Sequence, residues 1–403
     1  VTIAVEFRGS RNGVAFGSTV GWEFELTAGR RGWNETAQPA VLTMSVVWSS
    51  TALGVLSPNN FQLGNKILLE FRVPAFAATW HSIFAGGITD IIIDRDVMTI
   101  TAVDYTIASL GRTWIDVPAQ SGATMTAAAT AVVSAAIADG ALPAGVTVAY
   151  DGLTQTGITF DAQTKVNALQ FLNQLLDSEP SGCLATRFGA NATPEFRVQG
   201  YSARRISGMP SNLQYNLSTF SAAIDWDWRF TKKVADVINS ATVTYNDGTA
   251  SFTDTASVAS IGTYTQAVTT QLDLATNADY LARRLVIRNN DPGYRLDELT
   301  VDMRELSATV AYNFGRYTTT TGALVTIPAL YTGAQTQYFL EGFRDQIRYS
   351  TAAGTGVEWR RTMYISDIGA TAAAQRYQDV TSGVRYSTVN PTYRWIDLEE
   401  INI

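Results

Sequence analysis

A chain of 403 residues is too long for one ordinary core and points to two or three domains. Its formal charge of −7 is spread without acidic or basic blocks, which argues against a protein that grips nucleic acid through phosphates, yet permits DNA to pass without sticking. The single cysteine, Cys183, excludes an internal disulfide and a Cys-rich zinc site, and reads as a small core residue.

No apolar run approaches the roughly 18 residues of a membrane span, the longest being the Ala-rich stretch from Ala127 to Ala138. The opening residues as given show no basic, Ser-rich or signal-like stretch. Residues 1–118, rich in strand signals and poor in helix signals, read as an N-terminal domain that is a β-barrel or compact sandwich. Val20, Trp22 and Phe24 alternate before a polar loop around Arg30 to Thr36. Ile67, Leu69, Phe71 and Val73 alternate again. A strand from Trp80 to Ile88, broken by Gly86 and Gly87, leads to the charged turn Asp94, Arg95, Asp96 and then to Met98, Ile100 and Ala102.

The period changes over 119–211, which reads as a small α+β domain. An Ala-rich helix from Thr126 to Asp139 closes at Gly140. A second, Thr164 to Asp177, buries Val166, Leu169, Leu172, Leu175 and Leu176. Strands Val146 to Tyr150, Leu184 to Phe188 and Phe196 to Gln199 flank it.

Residues 212–403 read as a C-terminal β-barrel domain with one flanking helix. Ala241, Val243 and Tyr245 alternate up to the turn Asn246, Asp247, Gly248, and Ala250 and Phe252 resume on the return strand. After a Ser/Thr-rich loop, a helix capped by Thr276 presents Ala278, Leu281, Ala282, Leu285 and Val286 on one face, and is expected to plug or flank the barrel. Asp291, Pro292 and Gly293 stop it. Leu299, Val301 and Met303 begin another strand, followed by Leu324 to Ile327, Gln337 to Tyr349 and Val357 to Ile365. The fold class is therefore mainly β with α+β, a small α+β domain standing between two strand-rich segments.

Chemistry is scarce. His81 is the one histidine, so a Ser-His-Asp triad could be built only around it, and no Gly-x-Ser-x-Gly elbow is present. A single histidine also excludes a His-rich metal site. Asp225 and Asp227 beside Trp226 and Trp228 resemble a sugar site in composition. On a strand, however, the acids would face away from the tryptophans, leaving a solvated acidic face as the simpler account. Asp90, Asp94 and Asp96 lack calcium-loop spacing and read as a turn. Arg283, Arg284 and Arg288 give the late helix a basic side suited to a neighbouring acidic subunit or, as the simpler account, to solvent or local pairing. Asn34, Asn191 and Asn216 form chance sequons in a Ser/Thr-rich chain. Catalytic, cofactor and metal residues are thus expected to be none.

Three regions carry a resemblance. In front stand Lys66 to Val73, Ser82-Ile83-Phe84-Ala85-Gly86 and Met98 to Tyr105. The middle has Ala168 to Leu172, Asp177-Ser178-Glu179 and Glu195 to Val198, and the back has Asn239 to Gly248, Ile261-Gly262, Ala278 to Leu285, Pro292 to Met303 and Tyr338 to Tyr364. In order and spacing these resemble the minor tail proteins of long-tailed bacteriophages, in the group similar to the baseplate hub of contractile-tailed phages.

That resemblance implies two tube-like β-barrel domains with a small α+β domain between them, in a structural virion protein at the distal end of the tail, assembled as a homotrimer that closes the tail tube. Its expected partners are distal tail and tail tube proteins, tip or fibre proteins and the tape measure protein, with DNA only in passage. No enzyme is expected, because the sequence given stops at Ile403 without the peptidase, lysin or fibre-joining region of many relatives. The alternative is a peripheral receptor-binding protein that holds cell-wall glycans on clustered, exposed aromatic residues.

Overall fold

The computed structural model describes residues 4–16, 22–31, 35–47, 60–95, 97–142, 146–179, 182–188, 194–200, 214–224, 228, 230–231, 236–290, 295–317, 323–329, 337–350 and 356–367. The front of the chain forms β1 (Glu6–Arg11), β2 (Val14–Phe16), β3 (Trp22–Gly29), β4 (Gln38–Val47), β5 (Lys66–Arg72), β6 (His81–Ile93) and β7 (Val97–Asp104). The middle forms α1 (Ile107–Leu110), β8 (Trp114–Val117), β9 (Gln120–Ala123), α2 (Met125–Ala138), β10 (Thr147–Asp151), β11 (Ile158–Phe160), β12 (Gln163–Asn167), α3 (Ala168–Leu176), β13 (Cys183–Phe188) and β14 (Pro194–Gln199).

Beyond it come β15 (Gln214–Asn216), β16 (Phe230–Thr231), β17 (Ser240–Tyr245), β18 (Gly248–Thr253), α4 (Thr255–Ile261), β19 (Thr265–Thr269) and α5 (Ala275–Asn289). The chain continues through β20 (Arg295–Leu296), β21 (Glu298–Asp302), α6 (Ala308–Tyr317), β22 (Leu324–Thr326), β23 (Gln337–Ser350) and β24 (Gly356–Asp367). The chain is mainly β with an α+β part, as its periodicity predicts.

Two separate closed barrels are not seen among the described residues. Twelve strands from both ends of the chain make one sheet, ordered β15-β22-β23-β3-β4-β7-β6-β5-β1-β2, with β24 on β23 and β21 on β24. No sheet among the described residues closes into a barrel. The reason is the pairing of Gly342–Arg348 in β23 with Gly29–Glu23 in β3, which joins the front of the chain to its back.

The sheet nevertheless curls round its core. Phe7 of β1 and Phe71 of β5, near one edge, meet Trp359 of β24, near the other, at ring-centroid distances of 5.0 and 5.2 Å. Side chains rather than ladder hydrogen bonds bridge that gap. Helix α6 fills the interior through Gly315, where a Cβ would lie 2.5 Å from the Trp359 ring and 2.8 Å from that of Phe71. Gly86 plays a similar part in the sheet. It does not break β6; a Cβ there would lie 2.3 Å from the Val103 carbonyl oxygen of β7, so glycine permits the close crossing.

A second core collects the middle segment and part of the last one. Val132 and Val133 of α2, Leu172 and Leu175 of α3, Ala241 and Val243 of β17, and Leu281 and Val286 of α5 are buried together. Helix α5 therefore packs on the β17–β18 hairpin and does not plug the curled sheet, which is the position α6 takes. Backbone bonds tie the two segments directly: Thr159 N–H donates to the Gln271 carbonyl at 2.9 Å and Asp273 N–H to that of Gly157 at 2.8 Å. Helix α2 starts under a Thr124 side-chain cap, as its Thr/Ala sequence invites. The expected first turn of α3 is strand instead, because Val166 and Asn167 pair with Ile115 and Trp114. Asn167 then caps the helix by accepting the Gln170 N–H at 3.0 Å.

Candidate functional surface

Because side chains alternate across a strand, burying Phe24, Leu26, Leu42, Met44, Met98, Ile100, Phe343, Ile347, Trp359 and Met363 on the inside fixes what the outside shows. The ladder registers align three rows there. One runs Thr300, Thr362, Arg344, Thr27, Val41, Val103. The next runs Asp302, Arg360, Gln346, Glu25, Thr43, Thr101, and the third Glu358, Arg348, Glu23, Ser45, Thr99. Across six strands these rows hold no apolar side chain larger than valine.

Their charges are close to balanced and locally paired. Arg344 donates to Glu25 at 2.8 Å and Arg348 to Glu23 at 2.7 Å, while the Thr300 and Thr362 hydroxyls meet at 2.9 Å. The pairs are solvent-exposed and so contribute little stability each. Their effect is to leave a smooth hydrophilic face with no field of one sign.

On the inner side, two ion pairs are fully enclosed. Arg361 of β24 donates through Nε and Nη2 to both oxygens of Asp345, at 2.7 and 2.6 Å, and through Nη1 to the Phe314 carbonyl of α6 at 3.0 Å. Its guanidinium also lies 4.4 Å from the Phe343 ring centroid. Arg30 donates from Nε to Glu341 at 2.8 Å, and the Ser366 hydroxyl donates to the other oxygen of that carboxylate. Burial of Arg30 is outweighed by Glu341, so its pKa is raised and it stays charged.

His81 is a core residue of β6, hydrogen-bonded to the Tyr312 hydroxyl of α6. Burial, with Arg316 nearby, lowers its pKa, so it is neutral at pH 7. Cys183 is buried, and its thiol donates to Gln199 at 3.6 Å. Asp94 lies in the β6–β7 turn and accepts the Arg95 N–H, Asp90 is exposed on β6, and Asp96 lies outside the described residues. Asp225, Trp226, Asp227, Asn34 and Asn191 also lie outside them, whereas Asn216 accepts from Ser218 in a local turn.

The basic side of α5 is only partly exposed: Arg283 pairs with Asp279 at 2.9 Å, but Arg284 and Arg288 are buried, 4 % and 8 % exposed. Among the described residues no group of three His, Cys, Asp or Glu could hold a metal ion, and no helix is long and apolar enough to cross a membrane. Trp359 is fully buried, and the guanidinia of Arg8 and Arg72 lie 4.5 and 4.6 Å from the Trp80 ring centroid; Trp114 is 63 % exposed.

Two polar joints carry motifs that sequence alone left without a role. Asp104, buried at the end of β7, accepts from Thr106 N–H and hydroxyl, Ile107 N–H and, across the sheet, Ala40 N–H. Burial pushes its pKa up while those four donors oppose the shift. Glu179 accepts from the Thr154 N–H and hydroxyl and the Gln155 N–H, and the Ser178 hydroxyl accepts the Gln271 N–H at 3.0 Å. Asp104, within the run Met98 to Tyr105, and the run Asp177-Ser178-Glu179 were visible signals; their partners were not.

This fold is similar to those of solved phage tail proteins. The chain is similar to the 43 kDa tail protein of prophage MuSo2 from Shewanella oneidensis, at 13% identity and a TM-score of 0.57 over 91% of this chain and 99% of that one. It is similar also to a tail protein of Neisseria meningitidis, at 12% identity and a TM-score of 0.62 over 91% and 98%. A Francisella PdpA-VgrG complex matches at 10% identity and a TM-score of 0.51, over 91% of this chain and 52% of that chain. No protein-family model matches the sequence, and no curated protein matches it significantly.

Proposed function

We propose that the chain is a structural protein of a phage-type tail: a tail-tip hub, three copies of which form a ring that closes the tail tube, joins it to tip or fibre proteins, and forms part of the channel for DNA. Its fold supports the tail role, and the rows of threonine and paired charge on the sheet's outer face carry the channel reading. A polyanion slides over a surface that offers no unpaired cationic stripe to hold it and no broad apolar patch. Exposed strand edges supply contacts between copies.

Imaging purified particles with symmetry left free at the tail tip tests this. Three copies around the tube axis are expected; copies off the axis would sink the hub and favour a peripheral adhesin. The channel reading has its own test, because Glu25→Lys in the outer rows is expected to slow DNA ejection, more so at low salt. Unchanged ejection at low ionic strength would remove that face from the channel.

A further inference from the structure

A cleft of about 130 Å³ opens beside the second core, under the loop after β3. The loop after β3 supplies Arg30 and Glu35, the end of α3 supplies Leu176 and Asp177, β19 supplies Gln266, and α5 supplies Leu281. The volume approaches that of cavities which accept a small organic molecule. Its polar groups are unequally satisfied. The Asp177 carboxylate has no hydrogen-bond or ion-pair partner among the described residues, and the Glu35 carboxylate accepts only the Arg31 N–H at 3.2 Å, while its backbone carbonyl accepts from Arg30 Nη1 at 3.3 Å. Gln266 Oε1 is buried without a partner, an acceptor still lacking a donor.

Charge decides which class of ligand fits. Three carboxylates, Glu35, Asp177 and Glu179, line the cleft against one cation, Arg30, and Arg30 is already neutralised by Glu341. Arg30 is 4 % exposed and its Nη2 lacks a partner, so an anion is the competing occupant. The surplus of negative charge disfavours it.

We propose that this cleft binds an alkylammonium group, with the ammonium donating to Asp177, Glu35 and Gln266 Oε1 and an aliphatic stem of about four carbons against Leu176 and Leu281. The group is either a lysine side chain of a neighbouring protein or a free diamine. Desolvation already pushes the Asp177 pKa up to about 6, as befits a carboxylate lacking a counter-charge.

The test is saturation-transfer NMR on the full chain at pH 7.5 with n-butylammonium, 1-butanol and butyrate in parallel. Transfer to butylammonium alone is expected, with affinity at least about tenfold weaker in Asp177→Asn and unchanged in Asp90→Asn, which alters an acid on β6. Displacement by an Nα-acetyl-lysine amide identifies a protein side chain as the source; displacement by 1,4-diaminobutane but not by the lysine amide identifies a free amine. Transfer to butyrate instead, equal transfer to butanol, no transfer to butylammonium, or an unaltered Asp177→Asn would each overturn the proposal. Loss of folding does not confuse the result, because removing the Asp177 charge relieves a desolvation penalty.

Discussion

Replacing Arg361 with leucine tests whether the α6 helix is held inside the curled sheet by a buried ion pair. Arg361 and Asp345 are both 0 % exposed, and the substitution strips Asp345 of two charge-assisted hydrogen bonds and frees the Phe314 carbonyl. Leaving one charge buried alone costs about 3–5 kcal/mol. A second substitution, Asp345→Leu, removes that orphaned charge, and the double variant should regain most of the loss, because two apolar side chains fill the site without a desolvation cost. The double variant should therefore be about 2–4 kcal/mol more stable than Arg361→Leu alone. Urea denaturation read by tryptophan fluorescence measures it, since Trp359 lies beside the guanidinium, 5.4 Å from its ring centroid. A single variant that costs under about 1 kcal/mol, or a double variant no more stable than the single one, would refute the reasoning.

Gly315→Ala drives a methyl group into two rigid rings and should cost about 1–3 kcal/mol, measured by the same denaturation; a neutral result would mean that α6 can withdraw from the core. Asp177→Asn should raise the melting temperature above pH 6 and not near pH 4. The native carboxyl, with its pKa raised from 3.8 to about 6, keeps its proton longer than the unfolded one, so the stability it contributes is full below pH 3.8, lost as pH rises to 6, and absent above. Because Asp177 is exposed at the cleft mouth, solvent screens part of that effect. A fragment of residues 1–118 should fail to give the sharp unfolding transition of the full chain, since β3 loses its β23 partner; a cooperative fragment would restore the independent barrel.

Local order was legible wherever one face of an element is buried. Alternation located β5, β7, β17, β23 and β24, and Asp247-Gly248 marked the β17–β18 turn, which pairs Tyr245 with Gly248. Partners were not legible, because alternation states which side of a strand is apolar but not which strand lies beside it. That is why β3 and β23 were assigned to different barrels. Two helices were missed inside Ser/Thr-rich or strand-like stretches. Asp254, which accepts the Ala256 and Ser257 N–H groups at 2.9 and 3.1 Å, was the cap that should have marked α4. Ser307, whose hydroxyl accepts the Val310 N–H at 3.3 Å, similarly introduces α6. The outer rows were hidden for the same reason as the pairing: each strand shows its own threonines and charges, but only the registers line them up.

The union of β3 with β23 also imposes an order of events during synthesis. Residues 22–47 emerge early, yet the strand that covers their edge begins at Gln337. At about 5–20 residues per second, that edge waits roughly 15 to 60 s for its partner. Throughout that interval the inserted α+β unit can complete its own hydrogen bonds, whereas the front strands stand as an open template for another nascent chain. High-level expression should therefore penalise this protein through pairing between neighbours on one message, and slower initiation or a chaperone that shields the β3 edge should raise its yield.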